Sequence, residues 1–153
     1  MAEMPPEAIS GFVTGEGCFY AESGRDPKYR LGHRIRLAFC IEVKADDLEV
    51  LQAVQSQLGC GNIYSLDFGR YQQYAAKNWR PHVKYRVSNF RDIHNRVIPF
   101  FKRHPLYGTK RKAFDVFTQI AEAMQAKQHL DQQGLEGIKS LVVQLKTLNK
   151  KGK

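Results

Sequence analysis

Acid is scarce where base is abundant. From Phe68 to Lys112 the chain carries twelve Lys or Arg and a single acid, Asp92. A stretch of that density usually meets a polyanion, although a solvated charged face is the alternative. Cysteine is also scarce. Cys18, Cys40 and Cys60 have neither paired spacing nor a metal-knuckle pattern, which argues against a disulfide framework and a structural zinc site. An odd cysteine count without a signal peptide fits an intracellular, reducing compartment, with an organelle and a bacterial cytoplasm both open and no targeting signal seen. No apolar run approaches the ~20 residues of a membrane span. The five histidines are scattered, none paired as ligands at helical spacing, and no internal duplication is visible.

What is present suits one folded domain over residues 1–153. The hydrophobic share is 42% and the formal net charge +9. That length supports a real core. Residues 1–4 and the tail Asn149–Lys153 read as flexible ends. His94-Asn95-Arg96 has the look of half a nuclease signature, but it lies in an apparent helix without a second half and is read as surface.

The most informative stretch is Ile9-Ser10-Gly11-Phe12-Val13-Thr14-Gly15-Glu16-Gly17. Pro5 and Pro6 suit a first helical turn, and Glu7 sits near the positive end of the dipole. Ile9, Phe12 and Val13 share one face; Ala8, Gly11 and Gly15 share another. Glycines one turn apart leave a groove for a second backbone. If the partner is a second copy of this helix, two Glu16 carboxylates meet at the helix exits and make a site for hard divalent cations. A buried helix with a glycine C-cap explains the same residues, and the pattern alone leaves both readings open.

Further along, residues 18–23 and 32–43 read as strands. In the second, Ile35, Leu37, Phe39 and Ile41 alternate with Arg34, Arg36, Ala38 and Cys40, so one face is core and the other basic or small. Asp46 and Asp47 open a helix with Leu48, Leu51, Val54 and Leu58 buried and Gly59 closing it. Strands over 61–68 and 82–87 follow, joined by a polar loop over 69–81. Helices are expected over 89–101, 108–124 and 135–148, with Pro105 as a break. The order predicts an α+β fold, αββαββ plus C-terminal helices, with a curved antiparallel sheet covered by helices on one face. The open face is expected to carry Tyr20, Glu22, Arg34, Arg36, Lys84 and Arg86.

With these residues in place the chain resembles the single-motif LAGLIDADG homing endonucleases. Ile9–Gly17 matches the nine-residue signature, with Glu16 at the metal-binding acid. Leu58-Gly59-Cys60-Gly61-Asn62-Ile63, Val87-Ser88-Asn89, Ile98-Pro99-Phe100-Phe101, Pro105-Leu106 and Gly108-Thr109-Lys110 match later blocks. The resemblance implies a homodimer with the motif helix at its axis, Ala8, Gly11, Phe12 and Gly15 at the interface. It implies Mg²⁺ held by Glu16 and the Gly15 backbone carbonyl (Mn²⁺ or Ca²⁺ taking the same site), with Lys110 assisting catalysis. Val43 stands where the family often has Gln, and Thr14 replaces a common acid. The implied function is site-specific hydrolysis of double-stranded DNA at a long, partly palindromic target, of the intron-encoded homing type. An RNA maturase that assists splicing without cutting would use the same fold, and a basic domain with a protein partner is a third reading; Glu16 and Lys110 favour cleavage.

On this reading the sheet face lies in a major groove. Tyr20, Glu22, Arg34, Arg36, Ala38, Cys40, Tyr64, Arg70, Lys84 and Arg86 would face DNA. Arg34, Arg36 and Arg86 suit guanine, and Ala38 a thymine methyl. Lys102, Arg103, Arg111 and Lys112 suit phosphates, which position without specifying.

Overall fold

A computed structural model describes residues 3–66 and 81–151. Most of the expected 69–81 loop, including Arg70, lies outside the described residues. The elements are α1 (Pro6–Glu16), β1 (Gly17–Arg25), β2 (His33–Lys44), α2 (Leu48–Leu58), β3 (Asn62–Leu66) and β4 (His82–Val87). Helix α3 then runs through three consecutive segments, Phe90–Asp92, Ile93–Val97 and Ile98–Arg103. Helices α4 (Gly108–Gln125) and α5 (Gln132–Lys151) complete the chain. This is the expected αββαββ plan with C-terminal helices.

The four strands pair antiparallel in the order β1-β2-β4-β3. Gly17 opposes Ile41, Phe39 opposes Val87, and Ile63 opposes Tyr85. Strand period two puts Phe19, Ala21, Leu37, Phe39, Ile41, Val83, Tyr85 and Val87 on one face, where all are buried. The helices supply the rest of that core through Ile9, Val13, Leu51, Phe101, Phe114, Phe117, Val142 and Leu145. Phe19 sits at its centre, with ring centroids 5.0 Å from Phe39, 5.2 Å from Phe114 and 5.2 Å from Phe117. Such aromatic contacts add about 0.5–1.5 kcal/mol per pair beyond area burial.

Three local features differ from expectation. Strand β1 reaches Arg25 rather than residue 23, because Gly24 and Arg25 still pair with Arg34 and His33. Helix α3 is not uniform: Ile93–Val97 is a π-helical turn immediately ahead of Ile98-Pro99. Pro99 has no N–H for the ordinary i→i−4 bond, and a wider turn absorbs the missing link. Helix α5 extends to Lys151, through residues expected to form a tail, and Asn149 Nδ2 donates to the Phe19 carbonyl at 2.9 Å.

The turn from α2 into β3 is pinned tightly. Gly59 takes a left-handed φ of 71° as the C-cap, and its N–H bonds the Gln55 carbonyl at 2.8 Å. Gln55 Nε2 donates to the Gly61 carbonyl at 3.0 Å, and Tyr85 Oη donates to the Cys60 carbonyl at 2.7 Å. Burial raises the Tyr85 phenol pKa above its ordinary value, so the hydroxyl remains a donor at neutral pH. Gly61 has φ 89°, and a Cβ there would lie 2.7 Å from the Tyr85 ring and 2.8 Å from Val87. Gly61→Ala combines left-handed strain with overpacking and should destabilise the fold by about 2–4 kcal/mol, read as a lower urea midpoint at unchanged slope.

Candidate functional site

Helix α1 ends because Gly17 turns the chain to extended geometry (φ −81°, ψ 164°), its N–H closing back on the Val13 carbonyl. A Cβ on Gly17 would lie 2.6 Å from Val13 Cγ1 and 3.0 Å from the Val13 carbonyl. Only glycine fits this corner. Glu16 is therefore the last helical residue and is exposed at the mouth of the corner. The Gly15 carbonyl belongs to the final turn, where helical geometry supplies no donor.

Lys110, in the first turn of α4, reaches the same corner: its Nζ donates to the Gly17 carbonyl. Glu16 and Lys110 border one cleft of about 310 Å³, lined also by Gly15, Gly17, Cys18, Thr109 and Asn149. The sequence reading missed Cys18, Thr109 and Asn149. Thr109 lies inside a segment already singled out, but nothing in the sequence marks Asn149, which reaches the cleft only because α5 packs along β1.

The other expected positions are as follows. Ala8, Gly11 and Gly15 are exposed on α1, and Phe12 is half-buried against the core edge. An added Cβ at Gly11 or Gly15 would meet nothing within 4 Å among the described residues. Thr14 is turned inward, its hydroxyl donating to the Ser10 carbonyl at 2.7 Å. Val43, where a glutamine was noted as missing, packs against the core.

The open sheet face carries Cys18, Tyr20 and Glu22 on β1 and Arg34, Arg36, Cys40 and Glu42 on β2. It continues through Lys84 and Arg86 on β4 to Tyr64 on β3, as the pairing register requires. Arg86 opposes Cys40, Lys84 opposes Glu42, and Tyr64 opposes Lys84. Burial pushes the Cys40 thiol pKa up. Ala38 is on this face but only 1% exposed. Flanked by longer Arg36 and Cys40 and opposite Tyr20, its methyl is shaded by these neighbours.

The arginines are not equivalent. Arg34 lies 3.6 Å from Glu22 and 3.5 Å from Asp26. Tyr20 Oη donates to the second Glu22 oxygen at 2.7 Å. That bond raises the Tyr20 pKa and lowers the Glu22 pKa, which the neighbouring arginines lower further. Arg36 is exposed and makes no ion pair among the described residues. Arg111 pairs with Asp115 at 3.6 Å and Lys102 with Glu122 at 3.2 Å, both within the helical layer. Arg111 and Lys102 also line a separate cavity with Phe101 and Thr118; they are not gathered onto the sheet face. Arg103 and Lys112 are exposed.

The LAGLIDADG endonuclease family pattern matches residues 9–121. The chain belongs to this family. Probable intron-encoded endonuclease 2 of Neurospora crassa is 29% identical over 149 residues, covering 97% of this chain and 30% of the relative. The structure of I-SmaMI bound to uncleaved DNA target in the presence of calcium ions is 28% identical with a TM-score of 0.79, over 92% of this chain and 44% of that one. The homing endonuclease I-TnaI is 26% identical with a TM-score of 0.78, over 99% of this chain and 100% of that one. The chain thus spans about a third of the curated relative and under half of I-SmaMI, but all of I-TnaI. No helix among the described residues is long and apolar enough to cross a membrane.

A guanidinium already held by two carboxylates must leave them to bond a base, whereas Arg36 makes no ion pair among the described residues. If this face reads DNA, Arg36→Ala should cost about 1–3 kcal/mol on the preferred site and relax preference at one base pair. Arg34→Ala should weaken binding with a smaller change in preference. A binding profile over all single-base variants of the site checks the contrast.

Proposed function

We propose that two copies of this chain form a divalent-metal-dependent endonuclease that hydrolyses both strands of a long, partly palindromic DNA site. The observation that carries it is the junction of three features: an exposed carboxylate at the end of α1, a lysine on the same cleft, and a basic, mixed-polarity sheet face beginning beside them. The exposed glycines support the dimer. Each glycine costs a helix about 1 kcal/mol relative to alanine, yet Gly11 and Gly15 meet no neighbour among the described residues that requires them. A close crossing with a second α1 would give them a purpose, and a two-fold dimer reads two related half-sites.

The donors suit a hard cation. Glu16 offers a carboxylate and Gly15 a carbonyl at a helix C-terminal end. No group of three or more His, Cys, Asp or Glu that could hold a metal occurs among the described residues. The described residues thus leave the donor set open, which fits Mg²⁺ well, because that ion keeps several waters and binds through one or two carboxylates plus phosphate oxygens. Mn²⁺ and Ca²⁺ accept the same oxygens. When bound, such a cation polarises the scissile phosphate and acidifies its water. Glu16 holds the charge at the helix exit. Lys110, tethered to the Gly17 carbonyl, keeps a positive group beside the cleft to offset transition-state charge. Arg36, Lys84 and Arg86 set the duplex in register. The place of action is wherever intron-bearing DNA is found, an organelle or a bacterial cytoplasm.

The decisive experiment selects cleaved members of a randomised DNA library with Mg²⁺. Recovery of one partly palindromic sequence is the expected result. Specific binding without cutting would move the chain toward an RNA maturase role. Glu16→Gln should bind the selected site nearly normally yet leave it uncut, as resolved by mobility shift and single-turnover assay. Lys110→Met should slow single-turnover cutting by roughly 10- to 1,000-fold, the range for loss of one electrostatic contributor. If that variant instead loses affinity while bound complexes cut at the native rate, Lys110 is a backbone anchor.

A further inference from the structure

Two opposed thiols, one of them on the cleft, have no part in the hydrolysis proposed above. Cys18 and Cys40 stand directly opposite one another in the β1–β2 ladder. Their chain neighbours Phe19, Phe39 and Ile41 are buried in the core, so both thiols project from the other face, on one side of the sheet. Opposed antiparallel residues hold their Cβ atoms about 4.5–5.5 Å apart, next to the roughly 3.5–4.5 Å that a disulfide spans. Both cysteines are unbonded and partly exposed, and Cys18 also lines the cleft with Glu16 and Lys110. Cys60 lies on the turn after α2, outside the strands, with no cysteine opposite it.

We propose that Cys18 and Cys40 form a reversible disulfide that misaligns Glu16 and slows cleavage, with a low-molecular-weight disulfide such as oxidised glutathione as the oxidant. The consequence for cleavage rests on the endonuclease reading; the bond itself does not. Two exchange steps suffice. The Cys18 sulfur attacks one sulfur of the reagent, whose S–S bond breaks and releases one glutathione thiol. The Cys40 sulfur then attacks the Cys18 sulfur of the mixed disulfide and releases the second. One S–S bond is lost from the reagent and one forms in the protein. Two electrons pass from protein to reagent, and the two cysteine protons end on the two glutathione thiols.

Closing the bond draws the two Cβ atoms together by about 1 Å, from ladder spacing to disulfide spacing. Cys18 is the second residue after Glu16, where β1 leaves α1. The pull passes through Gly17 toward Glu16; a full displacement of about 1 Å at a reacting centre costs on the order of 100-fold in rate, and a partial one less.

The test uses full-length Cys60→Ser protein, treated with oxidised glutathione, alkylated and weighed intact. The expected product has lost two hydrogens, takes up no alkyl group, and regains both reactive thiols with dithiothreitol. Its single-turnover cutting should fall at least tenfold on oxidation and recover on reduction. Cys18→Ser and Cys40→Ser on the same background should each lose that redox response, whatever their own rates. Two thiols that remain alkylatable after oxidation overturn the proposal, and a quantitative disulfide with an unchanged cutting rate overturns its regulatory role. A reduced protein that cuts no DNA overturns the endonuclease reading and the regulatory role with it, while the mass still decides whether the bond forms.

Discussion

Everything at the candidate site depends on the corner at Gly17. Three demands meet on this residue. Its N–H closes α1 onto the Val13 carbonyl, its carbonyl accepts Lys110 Nζ, and its Cα lies so close to Val13 that no side chain fits. Because the corner is sharp, Glu16 stays in the last helical turn while Cys18 and Phe19 already belong to the sheet. Phe19 then anchors the corner from below through its packing on Phe39, Phe114 and Phe117. The exposed carboxylate is thus carried on a corner anchored directly in the aromatic core.

The sheet divides its labour by strand period. Odd positions of β2 feed the aromatic core, and even positions carry Arg34, Arg36 and Cys40 outward. The outer face is not uniformly cationic, because Glu22, Asp26 and Tyr20 build a hydrogen-bonded frame around Arg34. Such a frame reduces the freedom of long side chains before any ligand arrives, and pre-ordered groups lose less entropy on binding. Arg36, Lys84 and Arg86 share this outer face, and I-TnaI, similar over its full length, is a homing endonuclease built to the same plan.

Hydrophobic periodicity made the element order and the sheet's sidedness legible, since a core face must repeat every two residues in a strand and every three to four in a helix. The α2 helix with its Gly59 cap and strand β4 over 82–87 were readable for this reason. The π-helical turn in α3 was not, because periodicity does not register where a proline's missing bond is absorbed. The arrest of Ala38 beneath its neighbours was also hidden, since alternation gives a side and not an exposure. So was the reach of α5 to Asn149, which a lysine-rich ending had disguised as a tail.

The sequence by itself determined the local chemistry: a helix ending in Glu16-Gly17, a basic strand face, and a Gly-Thr-Lys segment opening a helix. Each of these depends on residues near one another in the chain. Only the tertiary structure decided which of them meet. Lys110 lies 93 residues from Gly17 and Asn149 lies 130 from Phe19, and both contacts exist because α4 and α5 must bury their apolar faces under the sheet. The same packing committed Arg34 to two carboxylates, left Arg36 without an ion pair among the described residues, and set Cys18 against Cys40. The reason is physical: periodicity fixes the face to which a residue belongs, while the partner it meets is fixed by how the faces close on one core.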